Sequence, residues 1–113
     1  MKKIECYIQA YDLHSVAEAM SVEGVRGLSV TECKGFGVER GFTRGEKVEP
    51  GQFILHPKVK VEMVVLEADV ERIIEGIRKS LKENMIGQGK IFVSSVEDAV
   101  RTRTGERGKD AIM

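Results

Sequence analysis

Tryptophan is absent from this chain, and aromatic residues make up only 5% of it. A surface that holds single-stranded nucleic acid by stacking bases on aromatic rings is therefore not expected. An excess of charge is missing too: 18 basic residues balance 18 acidic ones. A protein that coats DNA or RNA needs a basic surplus to neutralise phosphates, so nucleic acid is not an expected partner. Cysteine is scarce. Cys6 and Cys33 are too few for a disulfide-stapled scaffold, and both fall in expected strands, where they read as small apolar side chains. Long apolar runs are lacking as well. Nothing approaches the length that spans a bilayer, and the opening "MKKIECYIQAYDLHS" alternates apolar with polar residues where a signal peptide would carry an unbroken apolar stretch. The expected address is cytoplasmic, with no direct membrane insertion.

What remains fits one domain, 1–113, with a modest core. "KKIECYIQA" alternates, with Ile4, Cys6 and Ile8 on one side, which predicts a strand. Asp12 is placed to cap a helix running to about Glu23, with Leu13, Val16, Ala17 and Met20 on one face and Gly24 beyond. A second strand is expected over 27–34. "KVKVEMVVL" predicts a third, with Val59, Val61, Met63 and Val65 aligned. Asp69 then caps a helix to about Asn84 whose apolar face is Val70, Ile73, Ile74, Ile77 and Leu81. "KIFVSSV" is the fourth strand, and the remainder holds a possible helical turn in a polar tail.

The order βαβ-βαβ predicts an α+β, ferredoxin-like fold: a four-stranded antiparallel sheet with two helices on one face. Its other face would carry Tyr7, Ser29, Thr31, Val64 and Phe92 among charges. That is too apolar for solvent and too polar for a dry core, so a closed homo-oligomer is expected to cover it.

Between the second and third strands lies a segment without periodicity, 35–57, far longer than the usual hairpin loop of about 2–5 residues. It is rich in glycine and charge, yet it keeps Phe36, Phe42, Phe53, Ile54 and Leu55. It reads as a limb that docks on a partner or on its own body, or as an ordinary two-stranded extension of the hairpin. Downstream, "IGQGK" lacks the spacing and the Ser/Thr of a Walker A loop. Alone it is a weak signal, since most such turns are only turns. Together with Arg101 and Arg103, which alternate and so reach one side of an extended segment, it forms a set suited to phosphate oxygens.

Five blocks carry a stronger signal: "MKKIE", "VTECKGFG" at 30–37, "PKVKVEMVV" at 57–65, "IGQGKIFV" at 86–93 and "RTRTGERGKDAI" at 101–112. In these blocks, in order and without gaps, the chain resembles the PII signal-transduction proteins. The resemblance implies a homotrimer that binds ATP or ADP between neighbouring subunits. It implies no enzymatic activity, and control of a membrane transporter, regulatory protein or enzyme client through the long loop, residues 38–55. By position, Gly87, Gln88, Gly89 and Lys90 match the phosphate-binding turn, and Arg101 and Arg103 in the C-terminal segment 101–113 match phosphate-reaching cations. Ser29 and Val64 match positions near the adenine, and Gly35 and Gly37 the base of the long loop.

A co-effector, with Mg2+ beside ATP, would sit near Glu39, Gly41 and Lys58. The loop departs from the family pattern. Glu39 stands where a Gln usually helps hold Mg2+ and 2-oxoglutarate, and Val38 where an Arg contacts nucleotide. Gly51 replaces the uridylylated Tyr, and Glu49 replaces a phosphorylated Ser. Binding of 2-oxoglutarate is therefore not expected, because Glu39 adds negative charge beside a dianion. The alternative reading is a metal-handling trimer like the CutA proteins, which would require His14, His56, Cys6 and Cys33 to converge.

Overall fold

The computed structural model of the chain describes residues 1–37, 40–42, 49–81 and 89–113. Four strands form one sheet: β1 (Lys2–Ile8), β2 (Ser29–Gly35), β3 (His56–Val65) and β4 (Ile91–Ser95), in the order β2-β3-β1-β4 and antiparallel throughout. Helices α1 (Leu13–Val22) and α2 (Val70–Ser80) lie on one face, and a short helix α3 (Lys109–Ile112) follows β4. The alternation in the sequence is realised as burial. Ile4, Cys6 and Ile8 of β1 and Val59, Val61, Met63 and Val65 of β3 point into a core closed by Val16, Met20, Ile73 and Ile77. This is the expected ferredoxin-like fold.

The helix ends depart from expectation in instructive ways. Asp12 and Asp69 occupy the N-cap positions, but neither side chain makes the capping bond. Each helix is entered through a 3-10 turn closed by backbone, Asp12 N–H to Gln9 O and Asp69 N–H to Leu66 O. The Asp69 carboxylate instead meets Arg72 at 3.2 Å. At the far end of α1, Gly24 takes φ +83°. Its N–H bonds Ser21 O at 3.1 Å while Val25 N–H bonds Met20 O at 3.0 Å, the paired bonds of a Schellman ending. Helix α2 stops at Ser80, not near Asn84, which lies outside the described residues. Leu81 is extended at ψ 133°, and the Ser80 hydroxyl donates to Ile77 O at 2.7 Å, a local bond that competes with continuation of the helix.

The two legs of the long loop meet at its base. Ile54 N–H bonds Arg40 O at 2.8 Å, His56 Nε2 donates to Gly41 O at 2.6 Å, and Phe36 stacks on Phe53 with centroids 5.3 Å apart. Part of the apolar content of the limb is thus satisfied within it. Gly41 is fixed by this clasp: φ is +88°, and an added Cβ would fall 1.9 Å from Ile54 O. Gly41→Ala should therefore break the Ile54–Arg40 rung and speed amide exchange at Ile54, while exchange in the β1–β3 core stays as slow as before.

Candidate functional site

On the sheet face opposite the helices, Tyr7 meets Phe92 edge-on at 6.3 Å, and Lys60 bridges Glu62 at 2.9 Å and Glu5 at 4.0 Å. The hydrogen bond from Lys60, followed by its charge, holds the Glu62 carboxyl below the usual carboxylate range. At one end of this face opens a cleft of about 620 Å3, lined by Lys3, Arg26, Ser29, Glu62, Val64 and Arg101 among others. Its size falls in the range of roughly 300–1,000 Å3 usual for small-molecule sites. Register explains the grouping: Ser29 pairs with Glu62 and Val64 with Lys3, so these side chains neighbour one another on adjacent strands.

Three of the residues singled out in the sequence, Ser29, Val64 and Arg101, are gathered here. Lys3, Arg26 and Glu62 escaped the sequence reading. Lys3 and Glu62 alternate with core positions, a signal that places them on the open face but does not say which pocket they border. Arg103 follows in the turn after Arg101 and is exposed.

The remaining candidates lie at the other end of the sheet. Gly35 pairs with His56 and Lys58 with Cys33. Gly89 donates its N–H to Tyr7 O at 3.1 Å, and Lys90 accepts from Tyr7 N–H. Gly89 is packed so tightly that a Cβ would sit 2.4 Å from Tyr7 O, whereas nothing lies within 4 Å of a Cβ at Gly37. From Val64 to Lys58 the strand advances six residues, about 20 Å. One chain therefore does not bring the two groups together. Gly87, Gln88 and Glu39 lie outside the described residues.

The C-terminal segment is held by its own bonds. Arg101 N–H donates to Glu106 O at 2.8 Å, Val100 bridges Arg107, and Arg107 meets Asp98 Oδ2 at 2.6 Å. The hydrogen bond from Arg107, followed by that from the Ala99 amide, lowers the Asp98 carboxyl below its ordinary 3.8. A depressed folded value means the pairing contributes above the ordinary carboxylate range and is lost as pH falls through the folded value. Arg107→Gln should raise the Asp98 midpoint in a carboxyl NMR titration. An unmoved midpoint would show that the pair does not form.

The four residues of the metal reading do not converge. Cys6 is in the core, where burial pushes its thiol up to about 11. Cys33 is on the opposite face, paired with Lys58. His14 sits exposed on α1 beside Glu18, and His56 is bonded to Gly41.

The features so far define a class: a ferredoxin-like α+β domain with an open cleft at one end of its bare sheet face and a long clasped loop at the other. The family model for nitrogen regulatory protein P-II matches residues 1–106, and the chain belongs to that family of nitrogen regulatory signal-transduction proteins. It is 47% identical to the nitrogen regulatory protein P-II of Rhodospirillum rubrum over 99% of this chain and 100% of that one. It is 46% identical to that of Azospirillum brasilense with the same coverage. Among solved structures, Arabidopsis thaliana PII bound to citrate superposes with a TM-score of 0.79 at 34% identity, covering 97% of this chain and 90% of that one. No helix among the described residues is long and apolar enough to cross a membrane.

Proposed function

We propose that this chain is a nucleotide-sensing regulator that assembles as a homotrimer, binds ATP or ADP between subunits, and controls a client protein through residues 38–55. The observation that carries the reading is the division of the candidate residues between two ends of one sheet. The cleft lined by Ser29, Val64 and Arg101 is at one end; Gly35, Lys58, Gly89 and Lys90 are at the other. If the second group of one copy meets the cleft of the next, each contact is head-to-tail, and a head-to-tail contact that closes makes a ring. Three copies would bury the Tyr7–Phe92 face and complete three sites. Glycine amides and Lys90 would then face the polyphosphate from one side and Arg103 from the other.

The test is oligomeric state together with an ATP titration. A trimer of about micromolar or tighter ATP affinity, weakened by Lys90→Ala and by Arg103→Ala alike, supports the reading. A monomer, or affinity untouched by both changes, overturns it. No catalytic residue is assigned.

The loop chemistry sets two further expectations. Glu39 would stand beside the phosphates and any dianionic co-effector, so calorimetry with Mg-ATP and 2-oxoglutarate should give no heat of 2-oxoglutarate binding. Gly51 offers no hydroxyl, so a uridylyltransferase supplied with labelled UTP should leave the loop unlabelled. A membrane transporter or an enzyme of nitrogen metabolism is the kind of client proposed, with Phe53, Ile54 and Leu55, each about half exposed, as the apolar contact.

A further inference from the structure

Arg101 is already occupied. Its Nη2 donates to Asp110 O at 3.1 Å and to Met113 O at 2.9 Å, and its Nη1 lies 3.3 Å from Glu106 Oε1. These partners all come from the segment that follows it. Helix α3 has four residues, too few to hold itself by its own ladder. Gly108, at φ +63°, turns the chain into it. The guanidinium therefore ties this turn down, reaching carbonyls at its end. The turn in turn borders the cleft: Ala111, Ile112 and Met113 line it beside Ser29 and Val64. Ile112 and Met113 also wall the small adjoining pocket between the cleft and Asp69, Arg72 and Ile73 of the α2 entry.

We infer that residues 109–113 form a latch on Arg101, and that a polyphosphate competes with this latch for the same guanidinium. The inference rests on the proposed nucleotide site and adds its regulation. Separate contacts to a main-chain carbonyl, to an oxygen of the last residue and to one partly exposed carboxylate hold Arg less well than a polyphosphate, whose clustered charged oxygens bind the fork in pairs. Nucleotide thus displaces the latch, and the latch lowers nucleotide affinity. Release of the turn uncovers the Ile112 and Met113 side of the cleft, so the C-terminal turn reports whether phosphate is present. Adenosine, which carries no phosphate, leaves the latch closed.

Hydrogen exchange on the full chain tests this at two amides, Ala111 N–H, bonded to Gly108 O at 3.0 Å, and Met113 N–H, bonded to Lys109 O at 3.1 Å. ATP should speed exchange at both and adenosine should not. In a second arm, Ala111→Pro removes one of these donors and loosens the turn in an otherwise intact chain. It should tighten ATP about three- to tenfold, the worth of roughly one net hydrogen bond, and change adenosine affinity by clearly less. If calorimetry shows ATP bound while exchange at Ala111 and Met113 is unchanged or slower, the latch is overturned and the nucleotide site stands. If Ala111→Pro tightens adenosine as much as ATP, the turn obstructs the cleft without competing for Arg101, and the latch is again overturned. If ATP binds neither chain, the nucleotide site itself fails, and the latch with it.

Discussion

Chains carrying Lys90→Ala and chains carrying Arg103→Ala, each a weakened binder alone, should recover tight ATP binding when co-expressed. Alone, each variant removes a charged contact to phosphate, worth about 1.5–3 kcal/mol, so affinity should fall roughly ten- to hundredfold. In a mixed ring each site takes its Lys90 side from one copy and its Arg103 side from the next. With equal amounts, about one site in four is intact on both sides, and calorimetry should find that fraction binding with the original affinity. The prediction follows from geometry: Lys90 lies at the Tyr7 end of the sheet, whereas the segment holding Arg103 follows Arg101 at the opposite end, beside Ser29 and Val64. A site built within single chains would show no recovery at any ratio, and that result would remove the intersubunit arrangement.

Gly89→Ala should damage both the sheet and the nucleotide site, where Gly37→Ala should not. The added Cβ would come within 2.4 Å of Tyr7 O and 2.7 Å of Tyr7 Cβ. Backbone and a sheet side chain cannot yield as a flexible side-chain end can. The Gly89–Tyr7 bond at 3.1 Å must break, or the start of β4 must shift away from β1. Overpacking of this kind costs about 1–3 kcal/mol, which chemical denaturation at fixed protein concentration would read as a lower midpoint. Displacing Lys90 with it should also weaken ATP at least tenfold, as removal of Lys90 would. Gly37→Ala is the control. Nothing lies within 4 Å of its Cβ and its φ is not in the left-handed region, so the unfolding free energy should stay within about 0.5 kcal/mol of the parent. Equal losses for the two variants would mean that crowding at Tyr7 is not what requires glycine at 89.

Much of this molecule was legible in its residues. Ile4, Cys6 and Ile8 alternate, and so do Val59, Val61, Met63 and Val65; all seven are buried. Ile73 and Ile77 mark the inward face of α2 and are buried as well. Such periods are local, so they can be read without knowing what packs where. The caps were harder. Asp12 and Asp69 stand at the right positions, but a 3-10 turn made the entry by backbone alone, and the Asp69 carboxylate found Arg72. The length of α2 was overestimated because the Ile77–Leu81 spacing continues the apolar stripe, while the backbone at Leu81 is already extended, at ψ 133°. In the long loop the three Phe were visible as a group, but the stacking of Phe36 on Phe53 was not.

The chain's own order of residues determined the strands, the two buried helix faces, the balanced net charge and the glycine and arginine set that suggests phosphate. Only the tertiary structure decided that this set is divided, with Ser29, Val64 and Arg101 at one end of the sheet and Gly35, Lys58, Gly89 and Lys90 at the other. Only it decided that Arg101 holds the chain's own last turn. The reason is physical. Periodicity belongs to neighbouring residues, whereas antiparallel register and the partner of a long cationic side chain are set by segments far apart in sequence that meet only when the core closes.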